Sequence, residues 1–259
     1  MMSPASLAAT RLALRARAPL VHNLTSAVVA NFTANVLLAL GASPAMVESA
    51  DEVEDFVALS DALVINLGTR TLHQSEIMFK AVGSAMRTAT PWVLDPVGVG
   101  AIKPRTIFAR VLCDIGPTAI RGNASEIMGL VGEDGHGRGV DTGIGSDKAI
   151  GAAQRLARST GAIVAVTGAI DYVTDGTQVV EVAHGHPMMT RVTGMGCAAT
   201  AIVAACLAVE PDRLRAVAHA LTFTGIAGEI AASRANGPGS LAMHYLDALA
   251  GDLQVLPDR

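Results

Sequence analysis

Aromatic side chains are scarce in this 259-residue chain, at 3% of positions with a single Trp, so the core must be built from aliphatic residues. Cysteine is equally sparse. Cys113, Cys197 and Cys206 are too few and too irregularly spaced for a disulfide framework or a zinc cluster, which favours a reducing compartment. Charge is low at 16% of residues and nearly balanced, 19 basic against 23 acidic, giving a net charge of -4 and no positive field for a nucleic-acid backbone. Nucleic acid is therefore not an expected partner. Long apolar runs are missing too: Leu24–Val47 is interrupted by Asn31, Asn35, Gly41 and Pro44, and Cys197–Val209 falls short of the ~18 residues a spanning helix needs. No membrane association is expected. The seven histidines form no H-x-x-x-H or H-E-x-x-H pattern, and His184-Gly185-His186 reads as local hydrogen bonding in a glycine loop, so no zinc is assigned.

What is present is 51% hydrophobic residues, which excludes disorder and collagen-like repeats. Arg11, Arg15 and Arg17 precede the first acidic residue, Glu48. An organelle transit peptide shares that distribution with an ordinary amphipathic helix carrying Leu7, Leu12 and Leu14, and the helix, in a cytoplasmic protein, is the reading adopted. Short aliphatic runs alternate with helical stretches, the signature of helices covering a largely parallel sheet. Strands are expected at Ala62–Leu67, Trp92–Asp95, Ala119–Arg121 and Ile163–Thr167, and a tight Asp175-Gly176 hairpin within Asp171–Val182. Helices are expected at about Ser26–Leu40, Leu72–Arg87, Ser146–Ser159 with Ser146 or Asp147 as cap, Cys197–Val209 and Asp212–Arg234. Val131–Ser146, with six glycines, predicts a mobile loop beside the site. No repeat, linker or compositional shift marks a boundary, so residues 1–259 are expected to form one domain.

Ligands of open α/β sheets gather beyond the carboxyl ends of the strands, which directs attention to the residues just after the apolar runs. These are Asn66-Leu67-Gly68-Thr69, the run Asp95–Gly100, Arg121–Glu126, and Thr167-Gly168. A fifth stretch, Val192-Thr193-Gly194-Met195-Gly196-Cys197, runs into a helix of small residues. Its glycines let backbone N–H groups approach an anion at a helix N-terminus, so Gly194, Met195, Gly196 and Cys197 form a candidate phosphate cradle; an ordinary glycine turn is the plainer alternative. Neither the P-loop nor the G-x-G-x-x-G fingerprint is present, which argues against a Rossmann-type oxidoreductase. Cys197 falls in the helix's first turn, where the dipole is expected to lower its thiol pKa and make it a base or nucleophile; otherwise it is a small buried hydrophobe. Asp95 and Glu126 are hard oxygen donors suited to magnesium, although Asn123 and Glu126 equally fit a capping box. Arg121 has the planar fork that matches phosphate oxygens.

In this order, His22-Asn23-Leu24-Thr25, Ser43-Pro44-Ala45-Met46, Asp95–Ala101, Arg121-Gly122-Asn123-Ala124-Ser125-Glu126-Ile127, Val166-Thr167-Gly168 and Val192–Cys197 resemble the hydroxyethylthiazole kinases, over roughly Val21–Leu249. The resemblance implies a ribokinase-like three-layer α/β/α fold, its largely parallel central sheet flanked by helices. It also implies transfer of the ATP γ-phosphoryl group to the primary alcohol of 4-methyl-5-(2-hydroxyethyl)thiazole, a salvage step in thiamine synthesis, with Mg2+ required. Under it, Arg121 and Thr167 contact ATP, Asp95 and Glu126 organise the magnesium partly through water, and Met46, Gly194 and Asn23 border the thiazole. Cys197 faces the acceptor hydroxyl where sugar kinases of similar fold place an Asp. A homotrimer with shared active sites is implied as well. Met195 stands where such proteins more often carry Thr. A kinase for another small alcohol, such as hydroxymethylpyrimidine, and a non-catalytic nucleotide-binding protein are the alternative readings.

Overall fold

The computed structural model describes residues 3–133 and 145–253. Most of the Val131–Ser146 segment, expected to be a mobile loop, lies outside the described residues. Five strands run parallel to one another: β1 (Leu20–Leu24), β2 (Ser43–Ala45), β3 (Ala62–Asn66), β4 (Trp92–Asp95) and β5 (Ala119–Asn123). They are joined by β6 (Ile163–Thr167), parallel to β5, and by β7 (Asp171–Thr174) and β8 (Val179–Val182), which pair antiparallel at one edge. The order is β2-β1-β3-β4-β5-β6-β7-β8.

Side chains alternate between two cores. Leu63, Ile65, Trp92, Leu94, Val164 and Val166 point to one face, where α3 (Val53–Leu59), α4 (Leu72–Thr88), α5 (Lys103–Ile115), α6 (Ala124–Leu130) and α7 (Ile150–Thr160) pack. Ala62, Val64, Val93, Ile163 and Ala165 point to the other, covered by α2 (Ala30–Leu40), α8 (Met195–Val209), α9 (Arg213–Arg234) and α10 (Pro238–Ala250). Burial on both faces is why these strands read as continuous apolar runs. The result is the expected three-layer α/β/α architecture with a mostly parallel sheet. Helix α8 is apolar on nearly every side because it lies between the sheet and α9.

Several boundaries differ from expectation. The helix predicted from Ser26 starts at Ala30, after a turn closed by the Val29 amide on the Ser26 carbonyl. The one predicted from Ser146 begins as a 3-10 turn over Ser146–Ala149, and neither Ser146 nor Asp147 caps it: the Ser146 hydroxyl donates to the Ile170 carbonyl instead. The hairpin loop is four residues, Asp175–Gln178, because the Asp175 carboxylate accepts from the amides of Thr177 and Gln178 and widens the turn. The N-terminal helix α1 (Pro4–Arg17) forms, but Leu12 is 69% exposed. Its buried face is Thr10, Arg11 and Leu14, with the Arg11 guanidinium donating to the carbonyls of Leu40 and Gly251. Among the described residues no helix is long and apolar enough to cross a membrane.

Candidate active site

Asn66, Asp95, Asn123 and Thr167 form a stepped row at the ends of four adjacent parallel strands: Asn66 is in register with Asp95, and Asn123 with Thr167 two positions further on, since Leu94 pairs with Ile120. Helix α8 starts beside that row. Gly194, at φ +92°, is its N-cap and offers no side chain; an added Cβ there would meet Val29 and Phe32. Among the described residues no acceptor meets the amides of Gly196 and Cys197. Two open donors at the positive end of a helix are suited to anionic oxygens.

Asp95 is buried. Its Oδ2 accepts from Asn66 Nδ2 at 2.7 Å and from Thr200 Oγ1 at 2.8 Å, whereas Oδ1 has no partner. Burial pushes its pKa up, an effect that Arg121 and the two hydrogen bonds oppose. Glu126 is buried too. It completes the capping box with Asn123 and also accepts from the Gly98 amide at 3.0 Å, tying the β4 and β5 loops together. Burial, followed by the Asp95 charge, lifts its pKa to about 7.

The Arg121 guanidinium lies over Gly196, where an added Cβ would come within 2.8 Å of Nη1. It is the cation that faces Asp95, Glu126, Asp171 and Cys197. Arg121, Thr167, Gly168, Met195 and Gly196 line one part of a cleft of about 560 Å³, so the two expected ATP contacts and part of the cradle meet there. The cleft is large enough for a nucleotide.

The hydroxyethylthiazole kinase family model matches residues 12–254. The chain belongs to the hydroxyethylthiazole kinase family. It is 56% identical over 246 residues to a hydroxyethylthiazole kinase of Granulibacter bethesdensis, covering 95% of this chain and 90% of that one. The solved hydroxyethylthiazole kinase of Pyrococcus horikoshii OT3 superposes with a TM-score of 0.88 at 41% identity, covering 95% of this chain and 93% of that one. A ribokinase-like superfamily protein from Enterococcus faecalis V583 has the same fold, with a TM-score of 0.64 at 12% identity over 89% of this chain and 86% of that one.

Within this hydroxyethylthiazole kinase fold, Cys197 departs from its expected chemistry. Its thiol pKa is pushed up to about 12, by burial first and then by Asp95, with Asn66 and Arg121 opposing. Burial and then the Asp95 carboxylate act against the helix terminus, so the lowered thiol pKa expected from position alone is corrected to a raised one. Asn23 and Met46 are not among the residues lining the cleft. Asn23 lies in β1, and Met46 just beyond β2, which is the sheet edge opposite β8. The Asn23 amide donates to the Val21 and Ala45 carbonyls, leaving Oδ1 buried without a partner.

Sequence reasoning gave no role to Thr200 or Asp171. Asp171 lines the cleft and accepts from the Gly168 amide at 2.9 Å, fixing the turn after Thr167; burial lifts its pKa to about 6. Glu126 and Asp171 both ionise later in the folded chain than their ordinary 4.5 and 3.8. Folding therefore holds protons that the unfolded chain releases, so this contribution to stability is full below those ordinary values and is lost as pH rises through about 6 and about 7. In chelator, thermal melting should move to lower temperature between pH 5 and pH 8, with a shallower slope in Glu126→Gln; a parallel slope in that variant removes Glu126 as the cause.

Proposed function

We propose that this chain transfers the ATP γ-phosphoryl group to the primary hydroxyl of hydroxyethylthiazole, the activity its relatives' name describes, and so serves thiamine synthesis. The observation that carries the reading is the convergence of Arg121 and two buried carboxylates beside the open amides of Gly196 and Cys197. Arg121 and those amides receive phosphate oxygens, and Thr167 borders the nucleotide. Asp95 and Glu126 suit magnesium: the unpartnered buried Oδ1 of Asp95 asks for a ligand, and the carboxylate pair supplies hard oxygen donors. Among the described residues no set of three or more His, Cys, Asp or Glu side chains is grouped to hold a metal, so water and phosphate oxygens would complete the shell. Magnesium, when bound, neutralises charge on the phosphates.

The acceptor oxygen attacks the γ-phosphorus as the bond to the ADP oxygen breaks, and the alcohol proton passes by way of a phosphate oxygen to solvent, leaving the phosphate ester and ADP. Cys197, its thiol pKa raised and its side chain within hydrogen-bonding reach of Asn66, serves to orient the hydroxyl. Positioning and charge neutralisation dominate a loose transition state. Cys197→Ala should therefore lower kcat by about 10- to 100-fold with an unchanged KM for ATP. Undiminished turnover in that variant contradicts any role for the thiol.

Met46 and Asn23 border the thiazole in this reading with Gly194, across a junction between two copies in a trimer. The shared site rests on the family resemblance and on the place of Asn23 and Met46 outside the cleft that Gly196 and Arg121 line. Light scattering that gives a monomer removes the shared site. The reaction itself is tested by ADP release with ATP, magnesium and hydroxyethylthiazole, beside hydroxymethylpyrimidine and no alcohol. Release with the pyrimidine alone reassigns the substrate, and release with neither overturns the kinase reading.

A further inference from the structure

The wall of the cleft away from the strand ends is a strap between β8 and α8 that lies on α9. It is held by two glycines. A Cβ on Gly225 would meet the Cβ of His184 at 2.4 Å and its backbone at 2.7 Å, and one on Gly228 would fall within 2.9 Å of Met189 Cε. His184 is further fixed by Glu229, whose Oε1 accepts from the Gly185 amide at 2.9 Å and lies 3.1 Å from His184 Nδ1. An ionised carboxylate only accepts, so Nδ1 is the nitrogen that donates to Glu229 and Nε2 is the one left for another partner, an acceptor in the tautomer that keeps its single proton on Nδ1. His186 has the opposite sense: its Nδ1 accepts from the Met188 amide at 3.2 Å, which leaves the proton on Nε2. Both residues line the cleft.

Arg121 is the only Lys or Arg among the described residues lining this cleft. Phosphates belong at that end. The neutral surface of Met189, Leu221, Thr224 and Gly225 suits a base. Resting on the kinase reading above, we propose that the strap reads the base of the nucleotide, with His184 Nε2, oriented by Glu229, accepting a hydrogen bond from the exocyclic amino group of adenine. The donor of His186 complements a neighbouring ring nitrogen of that edge. Hypoxanthine presents the reverse pattern, a carbonyl acceptor and a ring N–H donor, and is disfavoured by both histidines.

The test compares ATP with inosine triphosphate in the thiazole-dependent assay, using the parent protein, His184→Phe and Glu229→Ala, with circular-dichroism melts to confirm folding. The parent should show a KM for ATP at least about tenfold below that for inosine triphosphate. In His184→Phe the KM for ATP should rise about tenfold with kcat within about twofold, while inosine triphosphate is unaffected, so the ratio collapses. Glu229→Ala should do the same in part, through loss of ring orientation. An unchanged ratio in His184→Phe, or an equal loss for both nucleotides, overturns the inference. Calorimetric titration with ADP and inosine diphosphate gives the same comparison without turnover. A parent protein that releases no ADP with either nucleotide overturns the kinase reading, whereas these binding ratios still decide the role of His184.

Discussion

Asp95→Asn protein should turn over about 10²- to 10³-fold more slowly than the parent while folding normally. Asparagine keeps the size of the side chain and an oxygen to accept from Asn66 and Thr200. What disappears is the charge, and with it the anionic character of the partnerless Oδ1. Because burial disfavours that charge in the free protein, its removal should leave the melting temperature equal or higher, separating a functional loss from a structural one. A second readout follows from geometry. Asp95 helps hold the Glu126 pKa up at about 7, so the pH dependence of stability in chelator should shift to lower pH in Asp95→Asn. Full activity in this variant contradicts the proposed role of the carboxylate.

Arg121→Ala should raise the KM for ATP by about tenfold or more and lower kcat by about 10² or more. The guanidinium serves two ends at once. Toward the ligand it offers a fork beside the open helix terminus, and toward the protein it offsets the repulsion among Asp95, Glu126 and Asp171. Its loss should therefore also move the ionisation of all three carboxyls upward, seen as a shift of the pH–activity profile to higher pH. Arg121→Lys should recover the electrostatic part and not the two-point contact, giving intermediate kinetics and a near-parental pH profile. A lysine protein with parental kinetics contradicts the bidentate role; an alanine protein with an unshifted profile contradicts the offsetting role.

The strands covered on both faces were legible because nothing polar interrupts Leu63–Ile65, Trp92–Leu94 or Ile163–Val166. Strand β1 was not, since His22 and Asn23 are buried polar residues inside it, and β2 is three residues containing Pro44. Helix α10 opens on Pro238-Gly239, which reads as a loop until the proline is placed in the first turn, where its missing N–H costs nothing. At the site, Asp95, Arg121 and Thr167 were readable from one rule, that ligands gather where parallel strands end. Thr200 was hidden in an apolar helix, and Glu229 lies 45 residues from the histidine it holds. Cys197 shows where local reasoning stops. The helix terminus was visible in Gly194–Cys197, but the burial and the Asp95 carboxylate that reverse the thiol's tendency come from a strand about a hundred residues earlier. Chemistry set by neighbours distant in sequence needs the fold.

The most direct measurement is transfer of a labelled γ-phosphoryl group from ATP to hydroxyethylthiazole, followed side by side in the parent, Asp95→Asn and Arg121→Ala proteins at matched folded concentration. Label appearing on the thiazole alcohol with the parent, and slowed by about 10² or more in both variants, is the predicted result. Transfer by either variant at the parental rate would place the chemistry elsewhere and contradict the account.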